Sequence, residues 1–479
     1  MSVTQLFVSL MLLALILLLS NILVVKFAWL RNFFIPGSIV GGVILLLLGP
    51  YVLGVFVKSP FADGGGLFPS YVLDAWADLP GLLINVVFAA LFIGKPIPGI
   101  RDIWYRAGPQ VVVGQTMAWG QYVLGLSLAI LVLVPMLDMN PIVGALIEIG
   151  FEGGHGTAAG MAGTFSDLGF EAGADLALGM ATIGIVSGVL VGTLMVNIAA
   201  RRGVINPGDT TNSAQRAKQE GPSDAEQEDF HTELAQEKGT TDPLSLHLGL
   251  VGVAILLGWL LLSGFQWLES VTWARDGGLE IMAHVPLFPL AMIGGVMVQL
   301  LLARCGWERH VSQRLMSRIS GTALDFTIVS ALATLALTTL GDYLLPFLML
   351  AALGILWPVL VLVFLAPRVM PDHWFERGIS DLGQSMGVTV TGLLLLRMAD
   401  PKNDSGAMET FGYKQLLFEP VVGGGLFTAA APPLIAQFGP GPVLILTAGV
   451  TVVWIAFGLL YFGRRVPGRG QGRWSPKQA

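Results

Sequence analysis

The stretch Gly150-Phe151-Glu152-Gly153-Gly154-His155-Gly156-Thr157 breaks an otherwise apolar segment with four glycines, a carboxylate and a histidine. A second stretch, Asp381-Leu382-Gly383-Gln384-Ser385-Met386-Gly387-Val388-Thr389-Val390-Thr391, does the same at the corresponding place in the other half of the chain. A helix broken at membrane depth frees backbone N–H and C=O groups that hydrocarbon cannot hydrogen-bond. Such breaks persist where they face buried protein, water, an ion or a solute. Paired Gly-broken segments in two halves of one membrane chain therefore point to a transport site.

The rest of the sequence sets the class. Of 479 residues, 54% are hydrophobic and only 12% charged, about half the charged share of an ordinary soluble domain. Apolar runs of roughly 20 residues, enough to cross a bilayer, recur along the chain. The net charge of -6 says little about partners, because much of the acid lies in one loop. One cysteine, Cys305, leaves no intrachain disulfide framework and no Cys-based metal site. Val3–Val25 is longer than a signal-peptide apolar core, with no basic residue before it, and reads as the first span. Walker A and H-E-x-x-H patterns are absent, and no nucleophile–base pair supports an enzyme. A secondary transporter fits better than a pump, with no nucleic-acid partner.

Eleven spans are expected: Val3–Phe27, Ile35–Val55, Leu79–Ile93, Val111–Met136, Leu176–Ala199, Leu244–Leu268, Val285–Leu302, Ala323–Leu340, Leu344–Leu365, Leu416–Ile435 and Pro442–Phe462. The broken segments Pro141–Phe165 and Trp374–Asp400 are left over. Residues 201–242 are polar and mixed in charge, and read as a flexible cytoplasmic linker. The expected layout is a 1–200 N-terminal repeat, the 201–242 linker, a 243–440 C-terminal repeat, and an extra span with a basic tail over 441–479.

Lys and Arg in short loops set orientation. Lys26 and Arg31, then Lys95, Arg101 and Arg106, Arg201 and Arg202, Arg304 to Arg318, Arg368 and Arg377, and Arg464 to Arg473 mark one side as cytoplasmic. The opposite loops carry acids, with Arg275 the exception. The N-terminus is then outside and the C-terminus cytoplasmic, as in a bacterial inner-membrane protein. With these sides fixed, Pro141–Phe165 enters and leaves outside, and Trp374–Asp400 enters and leaves inside. That describes an all-α polytopic protein of two inverted-topology repeats, each with a Gly-rich re-entrant hairpin. Charge alone equally permits unwound helices that cross completely.

Glu148 and Glu152 lie four residues apart and share a face if that stretch is helical. A carboxylate at the bilayer centre costs roughly 2.5–3.5 kcal/mol or more, so buried ones serve an ion, a proton or a partner. Two like charges there call for a shared proton or a hard cation such as Na⁺, unless an arginine such as Arg397 pairs with them. Glu148, Glu152 and Asp381 are the candidate ion-coupling residues, with Glu152 and Asp381 as Na⁺ ligands. Gly153, Gly154, His155, Gly156, Thr157, Gln384, Ser385, Gly387, Thr389 and Thr391 are the candidate substrate-binding residues. Asp325 and Glu419 read as solvated near the interface, and Gly41–Gly42 and Gly423–Gly425 as close-packing glycines.

Gly153-Gly154-His155-Gly156-Thr157 resembles the bacterial sodium/glutamate symporter family. The likeness continues through Ala158–Arg201, including Ala181-Thr182-Ile183-Gly184, and at Ile35-Pro36-Gly37-Ser38-Ile39-Val40-Gly41-Gly42. Gly387-Val388-Thr389-Val390-Thr391 is similar to that family's G-x-T-x-T pattern. The resemblance implies a dimeric carrier of two inverted repeats that moves glutamate or a related amino-acid or carboxylate anion with Na⁺, by alternating access. An H⁺-coupled carrier of another organic solute, or a channel-like pore, is the alternative. Three features depart from the family pattern. Uncharged polar positions before the glycine cluster are Glu148 and Glu152 here, a common proline is Val390, and the linker and final span extend a compact layout. Added negative charge disfavours an anionic substrate unless more cation binds with it.

Overall fold

The computed structural model describes every residue except 1, 28–29, 31–35, 57–65, 206–242, 276–280, 402 and 466–479. Most of the linker, Arg31, Ile35 and the basic tail beyond Arg465 lie outside the described residues. Those described are helical, without a strand. The chain divides into two compact units, each drawing on both halves of the sequence. The first comprises Met1–Pro96, His155–Leu178 and Glu226–Leu344; the second comprises Ile97–Gly154, Gly179–Ala225 and Leu345–Ala479.

Ten helices among the described residues are long and apolar enough to cross a membrane. This differs from the eleven read in the sequence in three places. Leu416–Ile435 is split into Ala407–Phe418 and Leu426–Phe438 around Gly423 and Gly424, both with positive φ. Gln313–Ala333 ends at Thr334 and carries Arg314, Arg318 and Asp325, too polar to count as a span. Trp374–Ala399, set aside in the sequence, has the length and composition of a span, although its helix is interrupted at Gly387–Val388. Its low hydropathy has a physical reason: every residue from Trp374 to Gly387 is buried in protein, so its polar groups never face lipid. The third span also starts earlier than expected, as Ser70–Ala90 with Pro80 inside it.

In the first unit, Gln313–Ala333 packs on Ser70–Ala90 and Gly37–Leu48, and Pro243–Val271 packs on Phe288–Cys305. The first helix starts from a capping box, in which Gln5 N donates to Ser2 Oγ at 3.2 Å and Ser2 N to Gln5 Oε1 at 2.7 Å. Several buried polar groups in this unit are matched: Trp76 Nε1 donates to Ser9 O at 3.1 Å, and Ser312 N to His247 Nε2 at 2.8 Å. Glu269 accepts from Ile281 N at 2.7 Å, Met282 N at 2.9 Å and Trp273 Nε1 at 3.1 Å. Gly42 lies against Leu332 as a close-packing glycine.

In the second unit the axis is the long helix Arg101–Leu137, on which Pro440–Phe457, Ala407–Phe418 and Trp374–Ala399 all pack. Every residue from Ala107 to Tyr122 is buried. A helix surrounded by protein can carry polar side chains inward, and this one carries Gln110, Gln115, Thr116 and Gln121. The helix Trp374–Ala399 is interrupted at Gly387 (φ -145, ψ 40) and Val388 (φ 58, ψ -179). There the chain doubles back. A Cβ on Gly383 would lie 2.8 Å from Gly392 Cα, whereas residues nine apart in an unbroken helix are about 13 Å apart along the axis. A β-branched residue at positive φ is strained, and such strain persists only where surrounding contacts hold it.

Helix contact in lipid relies on close backbone approach at small residues. In the first unit, a Cβ on Gly258 would lie 2.5 Å from Ala291 N, while one on Gly252, in the same helix, would meet nothing. Gly258→Leu is expected to destabilise the fold by about 1–3 kcal/mol through overpacking. Gly252→Leu should leave it unchanged. Thermal unfolding of the two variants in detergent checks this.

Candidate functional site

Residues 150–154 of the first Gly-broken segment meet the second within the second unit. The first runs as Pro141–Ala145 and Leu146–Phe151 and stops at Glu152, where the amides of Glu152 and Gly153 both donate to Glu148 O at 3.0 Å. Gly154 then turns with φ +69, and a side chain on it would collide with Val388 at the break in the second segment. Only glycine reconciles that φ with that neighbour. Two residues before the turn, Glu152 Oε1 accepts from Ser385 Oγ at 2.5 Å. Glu152, Gly153, Gly154, Asp381, Gln384, Ser385 and Gly387 thus lie in one neighbourhood.

Glu148 sits one helical turn earlier and is fully buried. Its Oε2 accepts from Tyr122 Oη at 2.5 Å, and its Oε1 from Gly423 N at 2.7 Å and Thr428 Oγ1 at 2.8 Å. Gly423 is therefore part of the site, not the simple packing glycine expected from the sequence. Its φ of +71 turns the amide onto the carboxylate at the break between two helices. Arg397 is exposed and does not serve as the buried counter-charge. Three neutral donors hold Glu148 instead. Glu419 is likewise no solvated acid: it is 9% exposed and accepts from Thr389 Oγ1 at 3.2 Å.

Asp381 is met by a cation that sequence reasoning missed. Lys414 Nζ lies 3.0 Å from Asp381 Oδ1 and donates to Gln384 Oε1 at 2.7 Å, and both charged side chains are fully buried. Gln110 Nε2 faces Asp381 Oδ1 at 3.2 Å, Ser380 Oγ at 3.0 Å and Arg377 O at 3.2 Å, which fixes its amide orientation. Gln121 Nε2 donates to Ser385 O at 2.6 Å, so its oxygen also has a fixed direction. The signal for these residues was present as glutamines and a lysine inside apolar helices, but they carry no motif.

Four buried oxygens in this neighbourhood have no hydrogen-bond partner: Glu152 Oε2, Asp381 Oδ2, Gln110 Oε1 and Gln121 Oε1. They fall into two pairs. Glu152 and Gln121 share Ser385, and Asp381 and Gln110 are joined by a hydrogen bond. All four are acceptors. With Glu148, Glu152 and Asp381 ionised, three carboxylates face one contacting ammonium, Lys414, while the nearby Arg377 is paired with Asp372, which leaves the cluster net negative. Oxygen acceptors with excess negative charge suit a hard cation, a proton or an ammonium. Among the described residues no three His, Cys, Asp or Glu side chains form a metal cage, so a cation there would draw on amide oxygens too.

The other sequence candidates are placed differently. His155, Gly156 and Thr157 belong to the first unit. His155 and Thr157 are buried, and a Cβ on Gly156 would meet Ile84 and Leu324, a packing role. Thr391 is buried in the second unit beside the break, its Oγ1 2.5 Å from where a Cβ on Gly387 would lie. Asp325 is partly buried in the first unit.

Residues 108–394 match the family model described as sodium/glutamate symporter. Over 87% of its length the chain is 23% identical to a Haemophilus influenzae protein described as a sodium/glutamate symporter, of which 92% is covered. Gln110, Gln121, Tyr122, Glu148, Glu152, Asp381 and Ser385 fall inside the family match. Lys414, Gly423 and Thr428 lie beyond its end.

Removing the Tyr122 hydroxyl leaves a buried carboxylate oxygen with one donor fewer. Tyr122→Phe is expected to cost about 1–3 kcal/mol of stability, and Thr428→Val a similar amount. The paired variant should cost less than the sum, because both hydroxyls serve Glu148. Unfolding of the single and double variants tests this coupling.

Proposed function

Since the chain belongs to the sodium/glutamate symporter family and is thereby a multi-pass membrane transporter, we propose that it couples inward movement of Na⁺ to uptake of glutamate or a related amino-acid or carboxylate anion. The observation that carries this is the set of four unpartnered acceptor oxygens in a buried, net negative cluster at the meeting of two helix breaks. An acceptor-only site fits a co-transported cation. Those four atoms offer no donor for the substrate carboxylate, so that group falls to backbone amides at the break around Gly387–Val388 or to Arg377 Nε, a buried donor without a partner on the same helix. Backbone amides at half-helix ends favour anions and cost no side-chain ordering.

In this reading Glu152 is the primary coupling residue. One of its oxygens is anchored by Ser385 while the other is open to an ion. Bound Na⁺ offsets the excess negative charge and so makes room for an anionic solute. The two charges are coupled in the thermodynamic sense: each improves the other's affinity by the same factor. Exchange of access between the two membrane faces, two inverted repeats with re-entrant segments, a cytoplasmic C-terminus and a homodimer complete the proposal, the last resting on the family alone. A proton on Glu152 would serve the same electrostatic purpose, which makes H⁺ coupling the rival.

Uptake of labelled glutamate and of a panel of amino and organic acids into proteoliposomes tests the proposal. Accumulation should follow an inward Na⁺ gradient, saturate, and collapse at least tenfold in Glu152→Gln. Accumulation driven equally well by a proton gradient without Na⁺ would replace the coupling ion. Non-saturating flux would replace the carrier by a pore.

A further inference from the structure

Lys414 occupies a fully buried position on the Ala407–Phe418 helix. Its ammonium has three N–H donors, and the surroundings account for all three. One faces Asp381 Oδ1 at 3.0 Å and one Gln384 Oε1 at 2.7 Å. The third direction is closed by the Phe418 ring, whose centroid lies 4.1 Å from Nζ, with the Phe411 ring at 5.4 Å. A cation over aromatic faces is stabilised by the ring quadrupole. Gly114 on the central helix completes the enclosure, because a side chain there would collide with Lys414 Cε and Nζ. Gln384 is held in turn by Gln415, through a 2.9 Å bond to its oxygen and a 3.1 Å bond from its amide. The ammonium thus has no donor left for a substrate carboxylate, and its stem has no room to swing out.

This arrangement is what a bound monovalent cation would have: carboxylate oxygen, amide oxygen and aromatic faces around a single positive charge. We propose that Lys414 is a tethered counter-cation that neutralises Asp381 permanently, so that the exchangeable cation is left to Glu152 and the protein needs one fewer mobile ion at this site than its carboxylates alone demand. The inference rests on reading the cluster as cation-coupled. It divides the labour within it. Glu148 is satisfied by neutral donors, Asp381 by a charge built into the chain, and Glu152 by an ion from solution.

The test is the response of Lys414→Met to Na⁺. Methionine keeps the length of the stem but removes the charge. Thermal stability of the purified protein in detergent is followed as choline is replaced by Na⁺ at mildly alkaline pH, where protons compete least. Lys414→Met should gain about one further Na⁺-binding event, seen as a steeper rise of Tm with Na⁺ than in the wild type. The double variant Asp381→Asn with Lys414→Met should lose that added steepness, because charge and counter-charge leave together. A Na⁺ response in Lys414→Met no steeper than wild type overturns the proposal. If Lys414→Met alone does not fold, the double variant is expected to recover folding, and a double variant no better folded than the single contradicts it equally. The wild-type uptake measurement tests symport separately. Failure there with an added Na⁺ response in Lys414→Met would sink the transport reading and leave the tethered cation standing.

Discussion

A carboxylate buried among helices at membrane depth must be answered by donors, a cation or a proton, and the second unit is arranged around that requirement. Glu148 draws a tyrosine from the central helix, an amide from the turn at Gly423 and a hydroxyl from Thr428 onto its two oxygens. These donors come from two separate chain regions, the central helix and the 423–428 stretch, so satisfying one charge fixes where those regions sit. The break before Leu426 is what turns the Gly423 amide inward. The aromatic layer of Trp119, Tyr122 and Phe427 packs over the same place, with Trp119 and Phe427 centroids 4.3 Å apart. Breaking a helix releases backbone groups, and here those groups serve a side chain that could not otherwise be buried.

Asp381 and Glu152 meet the same constraint by other means. Asp381 lies one turn before Ser385, so a single face of the Trp374–Gly387 stretch presents both a lysine-bound carboxylate and the hydroxyl that anchors Glu152. A buried ion pair is weak evidence for stability, because desolvation offsets much of the attraction. Its retention here makes more sense as a means of fixing charge: it answers the charge of Asp381, whose Oδ2 still has no hydrogen-bond partner, and leaves the charge of Glu152 for an ion from outside.

The class, most span positions and the pairing of the two broken segments were legible in the sequence, because length, hydropathy and glycine clustering are local properties. Glu152 and Asp381 were legible because acids in apolar runs stand out. Lys414 was not. Reading a span from Leu416 placed it in a loop, where a lysine needs no partner, and only the helix Ala407–Phe418 reveals it as buried. Gly423 and Glu419 were misread for a related reason: a glycine run and an acid at the mouth of an assumed span look like packing and solvation until the span is seen to be two helices. Gln110 and Gln121 are uncharged and their roles depend on partners about 270 and 264 positions away, which no local pattern encodes. Trp374–Asp400 was read as re-entrant from loop charges; that its polar residues up to Gly387 are buried in protein is a property of the fold and not of the segment.

The proposed function requires that this buried cluster bind the coupling cation through Glu152. Equilibrium binding of ²²Na⁺ to purified protein, with and without glutamate, tests it most directly. Saturable binding that tightens when glutamate is added, and that disappears in Glu152→Gln while the variant remains folded, is the expected result. Saturable Na⁺ binding that survives unchanged in Glu152→Gln, or no saturable binding in the wild type, would contradict the account.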